Sequence, residues 1–143
     1  MLRLRKMTKG QSMVELALVL PTLALLLVVV ADFARVFYLS IAVANAARAG
    51  VAYGSQSLLK AIQFDSIQQA ALNDGQNIAG LTATASDVCM CNGAVVACSP
   101  AACAQPQTYV QVTTRTTFHT LLNYPGVPST IPISYTAMME VRP

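Results

Sequence analysis

The sequence lacks tryptophan, has a single histidine and carries few charges. Lys, Arg, Asp and Glu make up 10% of its 143 residues, against about 25% in an average soluble domain. The histidine, His119, lies in a threonine-rich segment, and the sequence shows no Ser/His/acid set, no paired carboxylates in the C-terminal part and no phosphate-binding loop. We therefore expect no enzymatic activity, no cofactor and no small-molecule substrate.

Basic residues are concentrated at the amino terminus. Arg3, Arg5, Lys6 and Lys9 precede every acidic residue. The chain has a formal net charge of +3, but the residues after position 10 hold five basic and six acidic side chains. The later cations are scattered and are not interleaved with aromatic residues, which a nucleic-acid interface would require. We expect no nucleic-acid partner.

An apolar run follows this basic leader. From Met13 to Ala31 the only charged residue is Glu15. A membrane-spanning helix needs about 20 largely apolar residues, so we predict a single transmembrane segment over about 13–34, with membrane lipid around it. The positive-inside rule keeps the amino terminus cytoplasmic. The chain would then lie in the cytoplasmic (inner) membrane with its C-terminal domain periplasmic or extracellular.

Two other interpretations fit the apolar run. A secretory signal peptide could be cleaved after Ala31, which would make Asp32 the first residue. The carboxylate of Glu15 and a helical pattern that continues to Arg48 without Gly or Pro argue against that cleavage. A plain signal anchor on a periplasmic binding domain explains the span, but it gives no reason for Gly10 or Glu15.

Residues 9–16, KGQSMVEL, place Gly10 before a residue that is followed four positions later by Glu15. This arrangement resembles the processing site of type IV prepilins, where a membrane peptidase cuts after the glycine. The longer run 10–21, GQSMVELALVLP, is similar to the start of TadE-like proteins, which are pseudopilins or minor pilins of the Tad (tight adherence, Flp pilus) system. Two further matches extend the resemblance over about residues 9–54: DFARVFY at 32–38 and NAARAG at 45–50.

The resemblance implies a function in assembling a Tad pilus or its secretion machine. A prepilin peptidase would cut between Gly10 and Gln11, removing the basic leader 1–10 and retaining the helical segment 11–54. The new α-amino group of Gln11 would pair with Glu15 of a neighbouring subunit. Such a pair would offset the cost of about 3 kcal/mol for a carboxylate in the membrane. The implied partners are the peptidase and other Tad pilins, including a TadF-like protein.

The long helix is expected to run from near Gln11 to the glycines at Gly50–Gly54, because glycine commonly ends helices. Asp32 and Arg35 are three residues apart and can pair across one turn. Apolar residues at steps of four and three share one helix face: Phe33, Phe37, Ile41 and Ala44. We expect that face to pack on the outer domain or on neighbouring helices.

Residues 55–143 are predicted to form a small α+β, pilin-like domain with an antiparallel sheet packed on the long helix. Asn92-Gly93 is a strong signal for a type I′ hairpin. The apolar and polar residues alternate well in the last two predicted strands. The predicted elements are a helix over Leu58–Ala79 and strands over Leu81–Cys91, Tyr109–Phe118 and Ile131–Val141.

The chain has four cysteines, which lie close together in an exported segment and so indicate disulfides: Cys89, Cys91, Cys98 and Cys103. Cys89 and Cys91 are two residues apart and should not bond to each other without strain. Each should pair with one of the other two, and the sequence leaves both arrangements open. The spacing C-x-C-x6-C-x4-C is not the usual C-x2-C pattern of zinc ribbons, so we expect no metal.

Overall fold

A computed structural model of the chain describes residues 10–99, 106–123 and 125–142. The chain divides into two units, Met1–Arg35 and Val36–Pro143. The elements in chain order are α1 (Gln11–Gly54), α2 (Leu58–Ala61), α3 (Phe64–Asp74), β1 (Thr82–Cys91), β2 (Ala94–Val96), β3 (Gln107–His119) and β4 (Thr130–Glu140). The α+β class predicted from the sequence is confirmed.

The first unit holds the apolar part of α1. Large apolar side chains are exposed at nearly every position where they occur between Met13 and Val30. The most apolar 18-residue window of the helix has a mean hydropathy of 2.6, and none of it is buried. A helix that is apolar on all sides is suited to lipid rather than to water. By length and composition, α1 can cross a membrane.

The helix α1 continues unbroken through Ala31 and Asp32 and ends at Gly54, as the sequence predicts. The Asp32–Arg35 pair is also confirmed: Nη1 of Arg35 lies 2.9 Å from Oδ1 of Asp32. The Asp32 side chain is only 8% exposed. A partly buried ion pair one turn apart supports the helical conformation at this point.

The second unit contains a four-stranded sheet in the order β2-β1-β3-β4, in which all neighbouring strands are antiparallel. The hairpin between β1 and β2 closes with Cys91 opposite Ala94. Asn92 and Gly93, which lie between them, have φ values of 51° and 81°. Two consecutive positive φ angles are the requirement of a type I′ turn, so the predicted hairpin is confirmed.

The core lies between the sheet and the C-terminal part of α1, with α3 beside it. On β3 the predicted inward face is buried throughout: Val110, Val112, Thr114, Thr116 and Phe118. From α1 the buried side chains include Val43, Ala46, Ala47 and Val51. The glycine at position 50 allows α1 to approach α3 closely, because a Cβ there would lie 3.1 Å from Cβ of Ala71.

Of the two packing partners predicted for the Phe33/Phe37/Ile41 face, the outer domain is not the one that Phe37 and Ile41 contact, and packing on neighbouring helices stays a prediction. In the second unit, Phe37 and Ile41 are 58% and 59% exposed. The helix face that packs on the sheet carries small residues, Val43, Ala46 and Ala47, all fully buried. Small side chains allow the helix backbone to approach the sheet closely, which bulky rings on that face would prevent.

The single helix predicted over Leu58–Ala79 is also wrong, because the structure divides it. Ser57 caps the short α2 by accepting a hydrogen bond from the backbone N–H of Lys60. The chain then re-enters a helix at Phe64, and α3 ends at Asp74 with Gly75 as its C-cap. The helical segment therefore ends at Asp74 and not at the predicted Ala79.

Candidate functional site

The first candidate site is the start of α1. Gly10 is an exposed turn residue directly before the helix, and its carbonyl oxygen accepts a 3.4 Å hydrogen bond from the Val14 N–H. Among the described residues, a Cβ at Gly10 would meet nothing within 4 Å, and its φ is not in the left-handed region. The described part of the fold therefore gives no steric reason for glycine here.

Glu15 lies just beyond the first turn of α1. It is exposed, and the flanking Val14 and Leu16 are exposed apolar residues. Positions 11 and 15 are separated by about 6 Å along the helix axis, at 1.5 Å per residue, and lie on the same side of the helix. The structure thus brings Gly10, Gln11 and Glu15 together within the first turns of one helix. Arg3, Arg5, Lys6 and Lys9 lie outside the described residues.

The second candidate group, the cysteines, lies in the second unit. Cys89 and Cys98 form a disulfide with a Cα–Cα distance of 5.1 Å. Cys89 is buried on β1 and is opposite Val96 of β2. The bond therefore ties the chain after β2 back to β1 and closes the hairpin covalently. It is one of the pairings that the sequence left open.

Cys91 is also disulfide-bonded. Since Cys89 and Cys98 are bonded to each other, the partner of Cys91 lies outside the described residues, where Cys103 also lies. A carboxylate oxygen of Asp87 is within 4.8 Å of the sulfurs of Cys89 and Cys98. A thiolate is the form of cysteine that ligates metals, and the disulfide removes both thiolates. This group is therefore a covalent staple and not a metal site.

A family match identifies the N-terminal helix. Residues 10–52 match the model of the TadE-like protein family. This part of the chain is TadE-like. The match begins at Gly10, includes Glu15 and stops just short of the end of α1 at Gly54. The resemblance seen in the sequence is thereby confirmed for this segment. No curated protein and no solved structure matches the chain.

The TadE-like segment contains a feature that the sequence reasoning missed. Its last part carries small residues at steps of three and four, which form the buried face on the sheet: Val43, Ala46, Ala47, Gly50, Val51 and Gly54. The signal for this face is the helical spacing of Ala and Gly. This signal is easily overlooked in the sequence, because another face of the helix carries larger apolar residues, and bulky side chains are the usual sign of a packing surface. His119 is exposed at the end of β3.

Proposed function

We propose that this chain is a pseudopilin or minor pilin of a Tad (Flp) pilus and that a prepilin peptidase processes it between Gly10 and Gln11. One observation carries the proposal: the TadE-like match over residues 10–52 coincides with α1, which begins at Gln11 directly after an exposed glycine. In the part of the chain that the structure describes, no atom lies within 4 Å of a Cβ placed on this glycine, which supports a requirement for glycine from outside the fold. Cleavage there would remove the basic leader and leave the helix intact.

The proposed location is the cytoplasmic membrane, in a single pass. The apolar, unburied part of α1 is the spanning segment, and the cations of the leader keep the amino terminus cytoplasmic. The second unit would then lie in the periplasm or outside the cell. Its Cys89–Cys98 disulfide supports this, because disulfides persist in oxidising compartments.

Glu15 is the proposed assembly residue. Cleavage after Gly10 would create an α-amino group at Gln11, one helical turn from this carboxylate. A carboxylate in the membrane costs about 3 kcal/mol, and an ion pair between Glu15 of one subunit and the amine of its neighbour would offset that cost. The pair would fix the axial register between helices. The neighbours are other Tad pilins, including a TadF-like protein.

The substitution Gly10→Leu tests the proposal. The variant should keep residues 1–10, and its intact mass should be higher than that of the processed wild type by the mass of the leader. It should remain in the membrane and be lost from the pilus fraction. Thr8→Leu is the matched control, since it places the same side chain in the leader without changing the cleavage site. Normal processing of Gly10→Leu would refute the proposal.

The two other interpretations predict different amino termini. A signal-anchored domain outside any filament would retain Met1, and a secreted protein with a cleaved signal would begin at Asp32. The unbroken helix through Ala31 and Asp32, together with the Asp32–Arg35 ion pair, supports retention of the apolar segment.

A further inference from the structure

The strand β4 forms one edge of the sheet. All of its residues from Thr130 to Glu140 pair with β3 in one continuous antiparallel register. On its other side β4 has no strand neighbour within the described residues 10–99, 106–123 and 125–142. An edge of this length presents a row of backbone N–H and C=O groups that another strand can bind.

The hydrogen bonds at the two ends of the ladder show which residues face outward. The Val141 N–H donates to the Thr108 carbonyl at 2.8 Å, and the Thr120 N–H donates to the Ser129 carbonyl at 3.1 Å. Hydrogen-bonded pairs alternate along an antiparallel ladder, so the odd-numbered β4 residues bond to β3. The even-numbered residues direct their backbone groups outward: Thr130, Pro132, Ser134, Thr136, Met138 and Glu140.

Proline occupies one of these outward positions. Pro132 has no N–H to offer, which is the usual reason that proline is tolerated on an edge strand. Beyond it, Ser134 to Glu140 is free of proline and of bulges. It contains no Lys or Arg, the side chains that most often protect an edge, and only one acid, at its end. Just past it, the outward N–H of Arg142 donates a 3.0 Å hydrogen bond to the Ser55 carbonyl, so the edge ends there. Among the described residues, Ser134 to Glu140 is a template for strand addition.

The opposite edge of the sheet is also open. The short β2 covers only Cys89–Cys91 of β1, and the Cys89–Cys98 disulfide holds the hairpin at that end. The rest of β1, Thr82–Val88, pairs with β3 on one side and has no strand on its other side in the described part of the chain. The sheet therefore has two open edges of similar length.

The topology relates the directions of these two edges. Both β1 and β4 are antiparallel to β3, so they run in the same direction. If the sheet continues from one copy to the next with its strands in the same direction, β4 of one copy lies parallel to β1 of the other.

The charges on the two edges are complementary. The Arg48 guanidinium lies at the β4 edge, where Nη2 is 3.4 Å from the Tyr135 hydroxyl and Cζ is 5.5 Å from the ring centre. Asp87 lies on the β1 edge and is exposed. Asp87 is opposite the buried Val110, and Tyr135 is opposite the buried Thr114, so both belong to the helix-bearing face. Pairing of the two edges would bring the Asp87 carboxylate of one copy to the β4 edge of the other copy, where the Arg48 guanidinium lies.

We propose that β4 of one copy binds the Thr82–Val88 edge of β1 of a second copy, extending the sheet from subunit to subunit. The contact is head to tail, because it joins two different edges, so it can be repeated from copy to copy in a row or a ring. This inference goes beyond the proposed function. It adds a partner, a second copy of this chain, and a second contact outside the membrane.

A photo-cross-linking amino acid at Thr136 in the full-length chain, expressed in its own membrane, tests the pairing. We expect a cross-linked dimer in which mass spectrometry joins position 136 to the 82–88 segment. The same group at Thr117, in the middle of the sheet, is the control and should give no such dimer. Absence of the dimer, a link between two β4 strands, or a link to a different protein would overturn the proposal.

Two sets of variants distinguish loss of the contact between copies from loss of folding. Met138→Pro removes an outward backbone N–H, whereas Met138→Ala keeps it. Only the proline variant should lower the dimer yield. A tenfold decrease corresponds to a loss of about 1.4 kcal/mol of binding free energy. Asp87→Arg should lower the yield, and combining it with Arg48→Asp should restore it, which a folding defect cannot do. Failure of that restoration would contradict the edge contact.

The result of the cross-linking experiment is independent of the result of the processing test. Mature protein that begins at Gln11 but gives no dimer would overturn the strand pairing and leave the proposed function standing. Protein that retains Met1 but gives the 136 to 82–88 link would overturn the proposed processing and leave the pairing standing.

Discussion

The Thr114 hydroxyl of β3 donates a 2.8 Å hydrogen bond to the backbone carbonyl of Val43 in α1. The two residues are 71 positions apart in the sequence, and both are fully buried. The bond joins the sheet directly to the helix backbone inside an otherwise apolar contact. It satisfies the one polar side-chain group that Thr114 brings into the core.

Replacing Thr114 by Val should lower the free energy of unfolding by about 1 kcal/mol, the usual net value of one buried hydrogen bond. Valine has nearly the same shape as threonine, so the loss of stability measures the contribution of the hydroxyl group. Thermal unfolding of the full-length chain in detergent measures it. Thr117→Val, at an exposed position of the same strand, is the control and should have little effect. Equal effects of the two substitutions would contradict the importance of the Val43 contact.

Gly50→Val should destabilise the second unit by about 1–3 kcal/mol through overpacking. A Cβ at this position would lie 3.1 Å from Cβ of Ala71 and 3.2 Å from the Ile67 carbonyl oxygen, and the backbone oxygen cannot move aside easily. Asn45→Val places the same side chain at an exposed position of α1 and controls for the helix propensity of valine. Unfolding of both variants under identical conditions gives the difference; similar stabilities would show that α1 does not approach α3 this closely.

Removing the Cys89–Cys98 bond with the double substitution to Ser should lower the free energy of unfolding by about 2.5 kcal/mol, as expected for closing a short loop. The bond spans a sequence separation of 9. Partial reduction followed by mass spectrometry should find this pair, and we predict that Cys91 is bonded to Cys103. A Cys91–Cys98 pair in the native protein would contradict the hairpin staple.

Glu15→Gln should leave cleavage after Gly10 unchanged but reduce the amount of the protein in the pilus fraction by at least about tenfold, the equivalent of 1.4 kcal/mol. The substitution keeps the size of the side chain and removes the charge that would pair with the Gln11 amine. Asp74→Asn, which removes an exposed carboxylate at the end of α3 in the second unit, is the control. Unchanged pilus incorporation of Glu15→Gln would exclude the ion pair as an assembly contact.

Much of this fold could be predicted from the sequence, since the signals are local. The apolar run after a basic leader predicts α1, the alternation of Val110, Val112 and Thr114 predicts the buried face of β3, and Asn92-Gly93 predicts the hairpin. Each depends on residues that are close together in the chain, where periodicity and turn chemistry are reliable.

The errors concern contacts between distant residues. Large side chains such as Phe37 and Ile41 are the expected packing face of α1, yet close approach of helix and sheet selects Ala46, Ala47 and Gly50 instead. The helix over Leu58–Ala79 divides because Ser57 starts a short helical turn and α3 begins separately at Phe64. The choice of Cys98 for Cys89 depends on the path of the chain after β2, because Cys98 lies beyond the last paired residue, Val96, where no local pattern fixes the backbone.

The amino-terminal residue of the protein extracted from the membrane fraction, determined together with its intact mass, tests the central claim most directly. The proposed processing predicts that the chain begins at Gln11 and has lost the mass of residues 1–10. A chain that begins at Met1 or at Asp32 would contradict it.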